Sequence, residues 1–276
     1  MTPKVVAIEI NTECPSSCIM CPREEVMKLR RRAIMPTEQV YSLLNRIDWE
    51  CMVEFAWLGE MFTDNRTIEF INFASKKGLG IIIDTNGYLL DREKLQLIMS
   101  NKNVLINFSI ESAIPETYER IRKGLKFETV IQNYYTALDV RNILKSDTKI
   151  WVSRILIKGL NDSGKESTLF FEKFQDADHI QTNSYKLRGG KSDKGEVKAL
   201  PSKNECNLIE NYMAISVDGD VPLCCCDACV NILTGNVFEK DLLEIWNCEL
   251  RKDTIQGIKE FGLQWFEKCQ EVEKWS

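Results

Sequence analysis

The sequence is almost without histidine: His179 is the only one among 276 residues. Because imidazole is the commonest protein ligand for zinc, copper and nickel, this scarcity argues against a metal site built from histidines. It also leaves any proton transfer to carboxylate, thiol, lysine or water. We interpret His179 as a structural residue.

Long hydrophobic runs are also missing. No apolar stretch approaches the length that crosses a bilayer, and Glu9 interrupts the six-residue apolar run near the N-terminus, so no signal-peptide pattern is present. We therefore expect a cytoplasmic protein. With 28% charged residues and a net charge of −5, nothing in the composition favours nucleic acid or an anionic membrane as partner. The basic run 28–32 is interpreted as a solvated face.

Cysteine, in contrast, is abundant, with eleven residues in the chain. In a cytoplasmic protein this favours metal ligands or reactive thiols over disulfides. Cys14, Cys18 and Cys21 share one loop after the apolar run 5–10. A disulfide would use two of these thiols and a tetrahedral zinc ion would need a fourth ligand, whereas three suit a four-iron cluster with one iron open to a small molecule. A zinc loop or a cluster of core thiols are the alternatives.

The C-x3-C-x2-C spacing, with Met20 before the third cysteine, resembles the signature of the radical SAM superfamily. The resemblance implies that the open iron chelates the amino and carboxylate groups of S-adenosylmethionine (SAM), with Met20 beside the cofactor. It implies reductive cleavage of SAM to a 5′-deoxyadenosyl radical that removes hydrogen from a substrate. It also implies an electron donor such as flavodoxin or ferredoxin.

Six apolar runs alternate with helical patterns over the first 190 residues: 5–10, 51–58, 81–83, 104–110, 149–157 and 179–187. This alternation predicts an α/β fold with a parallel sheet, and six units suit a partial (β/α)6 TIM-like barrel. Ligands of such folds gather at the C-terminal ends of the strands, which is where the cysteine loop lies.

Further candidates follow the later strands. Gly59-Glu60 resembles the superfamily's Gly-Gly-Glu-Pro segment, although Leu58 and Met61 replace its first Gly and its Pro. Each short segment alone could be an ordinary turn, but their order after the cysteine loop favours a binding role. The resemblance places these residues near SAM: Gly59, Glu60, Thr85, Asn86, Ser109, Glu111 and Arg154.

The polar stretch 191–204 predicts a linker to a second domain, 191–276. The C-x12-G-x4-C spacing of Cys206, Gly219 and Cys224 resembles the opening of SPASM and Twitch annexes. The later segments 235–237 and 242–247 resemble the rest of such an annex. The resemblance implies one auxiliary iron–sulfur cluster held by Cys206, Cys224 and Cys269. Cys229, Cys226 or an open iron could complete it, and a structural zinc site is the alternative.

The Asp218-Gly219 pair between two apolar runs predicts a hairpin that returns Cys224 to Cys206. On a strand, Cys224 and Cys226 would share one face. Cys226 would then lie beside Cys224 toward the pocket, whereas Cys229, beyond the strand, is freer to turn back to the cluster. We therefore predict that Cys229 is the fourth ligand and that Cys226 faces substrate, as hydrogen-atom donor or polar wall. Asp227 and Arg188 are the polar candidates for the substrate pocket, although Arg188 could equally form a loop salt bridge.

These features favour an enzyme that removes hydrogen from an unactivated carbon. We expect oxidation or rearrangement of a small molecule such as a sugar or aminocyclitol, because the sequence shows no added N-terminal peptide-recognition domain. Radical modification of a peptide, by epimerisation or cross-linking, is the alternative within this class. A non-catalytic zinc or iron–sulfur interaction protein is the alternative outside it.

Overall fold

The computed structural model describes residues 1–184 and 206–262. Strands and helices alternate along most of this length. The strands are β1 Val5–Ile8, β2 Met52–Glu54, β3 Gly80–Thr85, β4 Val104–Ser109, β5 Lys149–Leu156, β6 His179–Ser184, β7 Tyr212–Ile215, β8 Asp220–Pro222 and β9 Leu233–Asn236. The α-helices are α1 Arg23–Val26, α2 Thr37–Arg46, α3 Thr67–Lys76, α4 Arg92–Met99, α5 Pro115–Ile121, α6 Phe127–Leu144, α7 Gly164–Lys173, α8 Asn207–Asn211, α9 Leu242–Trp246 and α10 Glu249–Phe261. A short 3-10 helix covers Met61–Thr63.

The chain divides into two compact units, of which the first contains residues 1–12, 21–59 and the described part of 186–276. Its central strand is β1, which pairs in parallel with β2 on one side and β7 on the other. Val6 lies opposite both Val53 and Met213, and all three side chains are fully buried. β8 and β9 form a separate antiparallel hairpin, followed by α9 and α10.

The second unit contains residues 13–20 and 60–184, and its strands β3, β4, β5 and β6 pair in parallel in that order. Ile83, Ile106 and Ile150 lie in register across β3, β4 and β5 and are fully buried. Tyr134 of α6 packs edge-on against Phe108, with ring centroids 5.7 Å apart. Apolar residues on alternate positions of each strand thus bury one face of the unit's sheet.

The α/β class and the six predicted strands are confirmed, but the predicted hairpin is only partly right. Gly219 does close a turn, donating its N–H to the Ser216 carbonyl at 2.9 Å. The two arms then separate, because β7 pairs with β1 while β8 pairs with β9. β7 is almost entirely apolar, which suits a strand buried on both faces within a parallel sheet more than an exposed hairpin arm.

Three earlier predictions fall outside the described residues: the domain boundary at 190/191, Arg188 and Cys269. Among the residues that are described, no helix is long and apolar enough to span a membrane.

Candidate functional site

The loop that carries Cys14 and Cys18 is held against the end of α5 in the second unit. Ser17 and Ile19 donate their backbone N–H groups to the carbonyls of Lys123 and Ile121, at 2.9 and 3.0 Å. Gly124 follows with a φ of +94°, and a Cβ there would lie 2.8 Å from the Pro15 carbonyl oxygen. A glycine is therefore required at 124, both for its backbone angle and for the close approach of the loop.

Each of these two thiols faces a nitrogen donor. The Asn86 side-chain amide lies 3.8 Å from the Cys14 sulfur, and the Arg122 guanidinium lies 3.8 Å from the Cys18 sulfur. The hydroxyl of Ser16 is 3.0 Å from the same Cys18 sulfur. Both cysteines are partly exposed. N–H groups directed at sulfur stabilise the thiolate, which is the form that binds metals.

Arg122 was not predicted, although it contacts two predicted residues. It donates to Glu111 at 2.5 Å, and Glu111 is only 1% exposed. Burial by itself lowers the pKa of Arg122, but the charges of Glu111 and Cys18 outweigh it, so that the pKa is raised and the guanidinium stays cationic. The second Glu111 oxygen accepts the Ile155 N–H at 2.8 Å, which fixes the carboxylate. The sequence signal available for this close approach was the glycine two residues after Arg122, Gly124.

The structure brings Glu60, Thr85 and Asn86 together. The buried Glu60 carboxylate accepts from the Thr85 hydroxyl at 2.8 Å and from the Asn86 backbone N–H at 2.9 Å. Burial raises the pKa of Glu60 against the opposing effect of these hydrogen bonds. The Asn86 side-chain oxygen accepts from the Tyr88 N–H at 2.9 Å, which orients its NH2 group toward Cys14.

The other predicted SAM-binding residues have different surroundings. Gly59 lies so near Asn11 that a Cβ would be 2.3 Å from the Asn11 carbonyl oxygen. Arg154 packs against α7, with its guanidinium 4.6 Å from the Phe170 ring centre, and donates to the Thr182 hydroxyl at 3.2 Å. Met20 is 9% exposed, and Ser109 is partly exposed at the end of β4.

Cys21 belongs to the first unit, where it is partly exposed directly before α1. The basic run follows α1 and is not uniformly solvated, contrary to our interpretation. Lys28, Arg31 and Arg32 do form exposed ion pairs, with Glu25, Asp218 and Glu24 respectively.

Arg30 is the exception, because it forms a buried ion pair with Glu9. The same Glu9 carboxylate accepts the Val217 N–H at 3.0 Å, and Arg30 donates to the Ala228 carbonyl at 3.1 Å. Desolvation raises the pKa of Glu9, although Arg30 opposes it. This ion pair ties the C-terminal end of β1 to the cysteine-rich loop 224–229 within the first unit.

In that loop the sulfur atoms of Cys224, Cys225 and Cys226 lie within 4.8 Å of one another. Our prediction that Cys224 and Cys226 share a strand face is wrong. β8 ends at Pro222, and the Asp227 N–H closes a turn onto the Cys224 carbonyl at 2.9 Å. Hydrogen bonds that the Cys224 thiol shares with the side chains of Cys225 and Cys226, together with burial, raise the pKa of Cys224, so metal binding here must displace a proton.

Asp227 and Cys229 lie in the same turn region. One Asp227 oxygen accepts from the Asn231 side chain at 2.8 Å and the other from the Ile232 N–H at 2.9 Å, so this carboxylate shapes the loop. Cys229 packs with Cys226 against a buried apolar cluster that includes Trp57.

Cys206 precedes α8 and packs against a second buried cluster. Leu223, the neighbour of Cys224, belongs to that cluster together with Ile209, Ile255 and Ile258. The fold therefore brings the segments of Cys206 and Cys224 to one apolar cluster.

A second arginine that sequence reasoning missed, Arg251, is also only 1% exposed. It donates to the carbonyls of Ile209 and Pro222 at 3.0 and 3.3 Å, and its guanidinium stacks 4.0 Å from the Trp246 ring centre. Burial lowers the pKa of Arg251 to about 10, while the nearby thiols, Cys248 first and then Cys224, oppose this effect.

The thiol donors of the N-terminal cysteine loop and of the annex fit iron–sulfur chemistry. Soft thiol ligands predominate, and nitrogen donors lie beside the sulfurs of Cys14 and Cys18. These are the features through which proteins bind such clusters and tune their potentials.

Comparison with known proteins agrees with this chemistry. The model of the radical SAM superfamily matches residues 8–171, more than half of the chain, and that of the SPASM iron–sulfur cluster-binding domain matches residues 206–271. Molybdenum cofactor biosynthesis protein 1 of Dictyostelium discoideum is 29% identical over 159 residues, or 56% of this chain. The match spans only 24% of that relative's length.

Solved structures share the fold at low identity. The alignment with SuiB of Streptococcus suis bound to precursor peptide SuiA covers 94% of this chain and 67% of the SuiB chain, with a TM-score of 0.72 and 14% identity. BtrN in complex with AdoMet and 2-DOIA matches 98% of this chain and 92% of its own, with a TM-score of 0.64 and 18% identity. The alignment with anSMEcpe with bound AdoMet covers 98% of this chain and 86% of the anSMEcpe chain, with a TM-score of 0.70 and 16% identity.

The predicted TIM-like α/β class with a small cysteine-rich annex is therefore confirmed. The two domains imply a [4Fe–4S] cluster, SAM and an auxiliary iron–sulfur cluster. This chain belongs to the radical SAM superfamily and carries a SPASM-type annex.

Proposed function

We propose that this chain is an oxidoreductase-type radical SAM enzyme that removes hydrogen from a carbon of a small molecule, such as a sugar or aminocyclitol. The observation that carries the proposal is the pair of thiols, Cys14 and Cys18, whose donors Asn86 and Arg122 also contact the buried carboxylates of Glu60 and Glu111. When bound, the cluster and SAM supply the electron and the 5′-deoxyadenosyl radical for hydrogen removal.

The chain's own residues would bind and orient these groups. Cys14, Cys18 and Cys21 are the proposed ligands, with Asn86 and Arg122 donating toward the first two. Glu60 presents a buried carboxylate of raised pKa, suited to receive a hydrogen bond from the amino group of SAM. The remaining residues proposed to line the SAM site are Met20, Gly59, Thr85, Ser109, Glu111 and Arg154.

For the annex we propose Cys206, Cys224, Cys229 and Cys269 as ligands of the auxiliary cluster. Cys226, Asp227 and Arg188 are proposed to face substrate, and the domains to divide at 190/191. The engaged carboxylate of Asp227 favours a positioning role for that residue. A flavodoxin or ferredoxin would supply electrons in the cytoplasm.

A peptide substrate is the second candidate. It is supported by the likeness to SuiB, whose structure holds the precursor peptide SuiA. BtrN, with 2-DOIA bound, gives comparable support to a non-peptide substrate. Mass comparison of cell extracts after exposure to active and inactive enzyme would decide which class is consumed.

The test is anaerobic reconstitution of the wild type and of a Cys14→Ala, Cys18→Ala, Cys21→Ala triple variant. We expect about eight irons per wild-type chain and about four in the variant, since each cluster holds four. The variant should release no 5′-deoxyadenosine from SAM. Cys51→Ala is the matched control, because Cys51 is a buried thiol outside both cysteine sets. Release of 5′-deoxyadenosine by the triple variant would refute the ligand assignment.

A further inference from the structure

The feature that the proposed function leaves unexplained is a buried positive charge. Arg251 is 1% exposed, and its Nε has no hydrogen-bond partner among the residues that the structure describes. Its other nitrogens donate to two neutral backbone carbonyls. Within residues 1–184 and 206–262, no carboxylate forms an ion pair with it. Burying a guanidinium without an anion is destabilising, so we expect a fold that keeps one to supply a compensating charge.

The position of Arg251 indicates where that charge would be. Ile209, which accepts from Nη1, lies three residues after Cys206, and Pro222, which accepts from Nη2, lies two residues before Cys224. Arg251 itself lies in the first turn of α10, whose N-cap residue is Cys248. One side chain therefore connects three segments that each carry a cysteine.

The surrounding core holds the same segments in place. Ile209, Leu223, Ile255 and Ile258 form one buried cluster, against which Cys206 packs. Trp246 lies over the guanidinium at 4.0 Å and excludes water from that side. The cation is thus rigidly placed, and charges within its reach interact with little solvent screening.

We propose that Arg251 is a positioning residue of the auxiliary iron–sulfur cluster, whose thiolates are its counter-charge, and that it raises the reduction potential of that cluster. The proposal rests on the proposed placement of the cluster at Cys206 and Cys224. Thiolate ligands make such a cluster anionic, and reduction adds one more negative charge. A fixed cation nearby stabilises the reduced state more than the oxidised state, because net charge and hydrogen bonding at the sulfurs set the potential.

The experiment compares Arg251→Met with Arg251→Lys in the reconstituted full-length chain. Met keeps much of the side-chain volume without the charge, whereas Lys restores the charge without the planar fork. Iron per chain and the midpoint potential of the auxiliary cluster, from an EPR-monitored redox titration, are the readouts. The Cys14, Cys18, Cys21 triple variant identifies which signal belongs to the annex.

Arg46→Met is the matched control, because Arg46 also donates to two backbone carbonyls in the same unit, those of Val237 and Lys240. At the wild-type midpoint, we expect the reduced-to-oxidised ratio in Arg251→Met to fall at least about tenfold. Arg251→Lys should recover most of that loss, and Arg46→Met should show none.

Two results would overturn the proposal. One is a fully loaded Arg251→Met protein with an unchanged midpoint; the other is equal loss of iron in the Met and Lys variants, which would show that charge is irrelevant. The ligand placement is judged separately by iron in Cys206→Ala. The two failures are distinguishable: full iron in Cys206→Ala would refute the ligand placement, whereas an unchanged midpoint in loaded Arg251→Met would refute only the role of Arg251.

Discussion

Replacement of Gly124 by alanine should loosen the cysteine loop from the end of α5. The new Cβ would lie 2.8 Å from the Pro15 carbonyl oxygen, and the backbone has a φ of +94°. An L-residue in the left-handed region costs about 1–2 kcal/mol, and a steric clash in a well-packed site costs about 1–3 kcal/mol. We therefore expect Gly124→Ala to lose about 2–5 kcal/mol of unfolding free energy.

Gly78 provides the control that separates the two effects. Its φ is +85°, and a Cβ there would meet nothing within 4 Å. Gly78→Ala carries the same backbone cost and the same effect on the unfolded chain, without the clash. The difference between the two variants, about 1–3 kcal/mol, thus measures the contact with the loop.

The assay is urea unfolding of the cluster-loaded proteins, read by circular dichroism and accompanied by iron analysis. Gly124→Ala should also lose iron from the SAM cluster, because Cys14 and Cys18 flank the displaced Pro15. Equal unfolding free energies for the two variants, with full iron in both, would refute the argument that the end of α5 holds the loop.

Three further outcomes are expected. Cys206→Ala should lose about half of its iron but still cleave SAM; a variant that keeps all its iron would show that Cys206 is not a ligand. Arg122→Met should weaken SAM cleavage more than Arg122→Lys, because the cation beside Cys18 and Glu111 is removed; equal rates in an assay of 5′-deoxyadenosine would contradict this. Burial raises the pKa of Cys51 to about 11. At pH 8 the alkylation of Cys51 should therefore be on the order of a hundredfold slower than that of a free thiol. Alkylation at the free-thiol rate, measured by mass spectrometry, would contradict its burial.

Local sequence was enough to predict much of this protein. The spacing of Cys14, Cys18 and Cys21 specifies a ligand count within one loop, and ligand count is what distinguishes an open four-iron site from zinc or a disulfide. The six apolar runs likewise predicted β1–β6, because the hydrophobic pattern of a strand depends only on residues within that strand. The annex, too, was predicted from Cys206, Gly219 and Cys224.

The tertiary structure decided which distant segments meet. Arg122 reaches Cys18 across 104 positions of sequence, and Tyr212–Ile215 joins β1 rather than β8. Neither contact could be predicted from periodicity. The apolar pattern of a strand buried on both faces does not specify which strand it pairs with, and the position of an arginine in the sequence does not specify which thiol it contacts. The turn at Cys224–Cys226 was missed for a related reason: strand β8 ends where its ladder with β9 shifts, at Val221 and Pro222, and pairing between segments sets that limit.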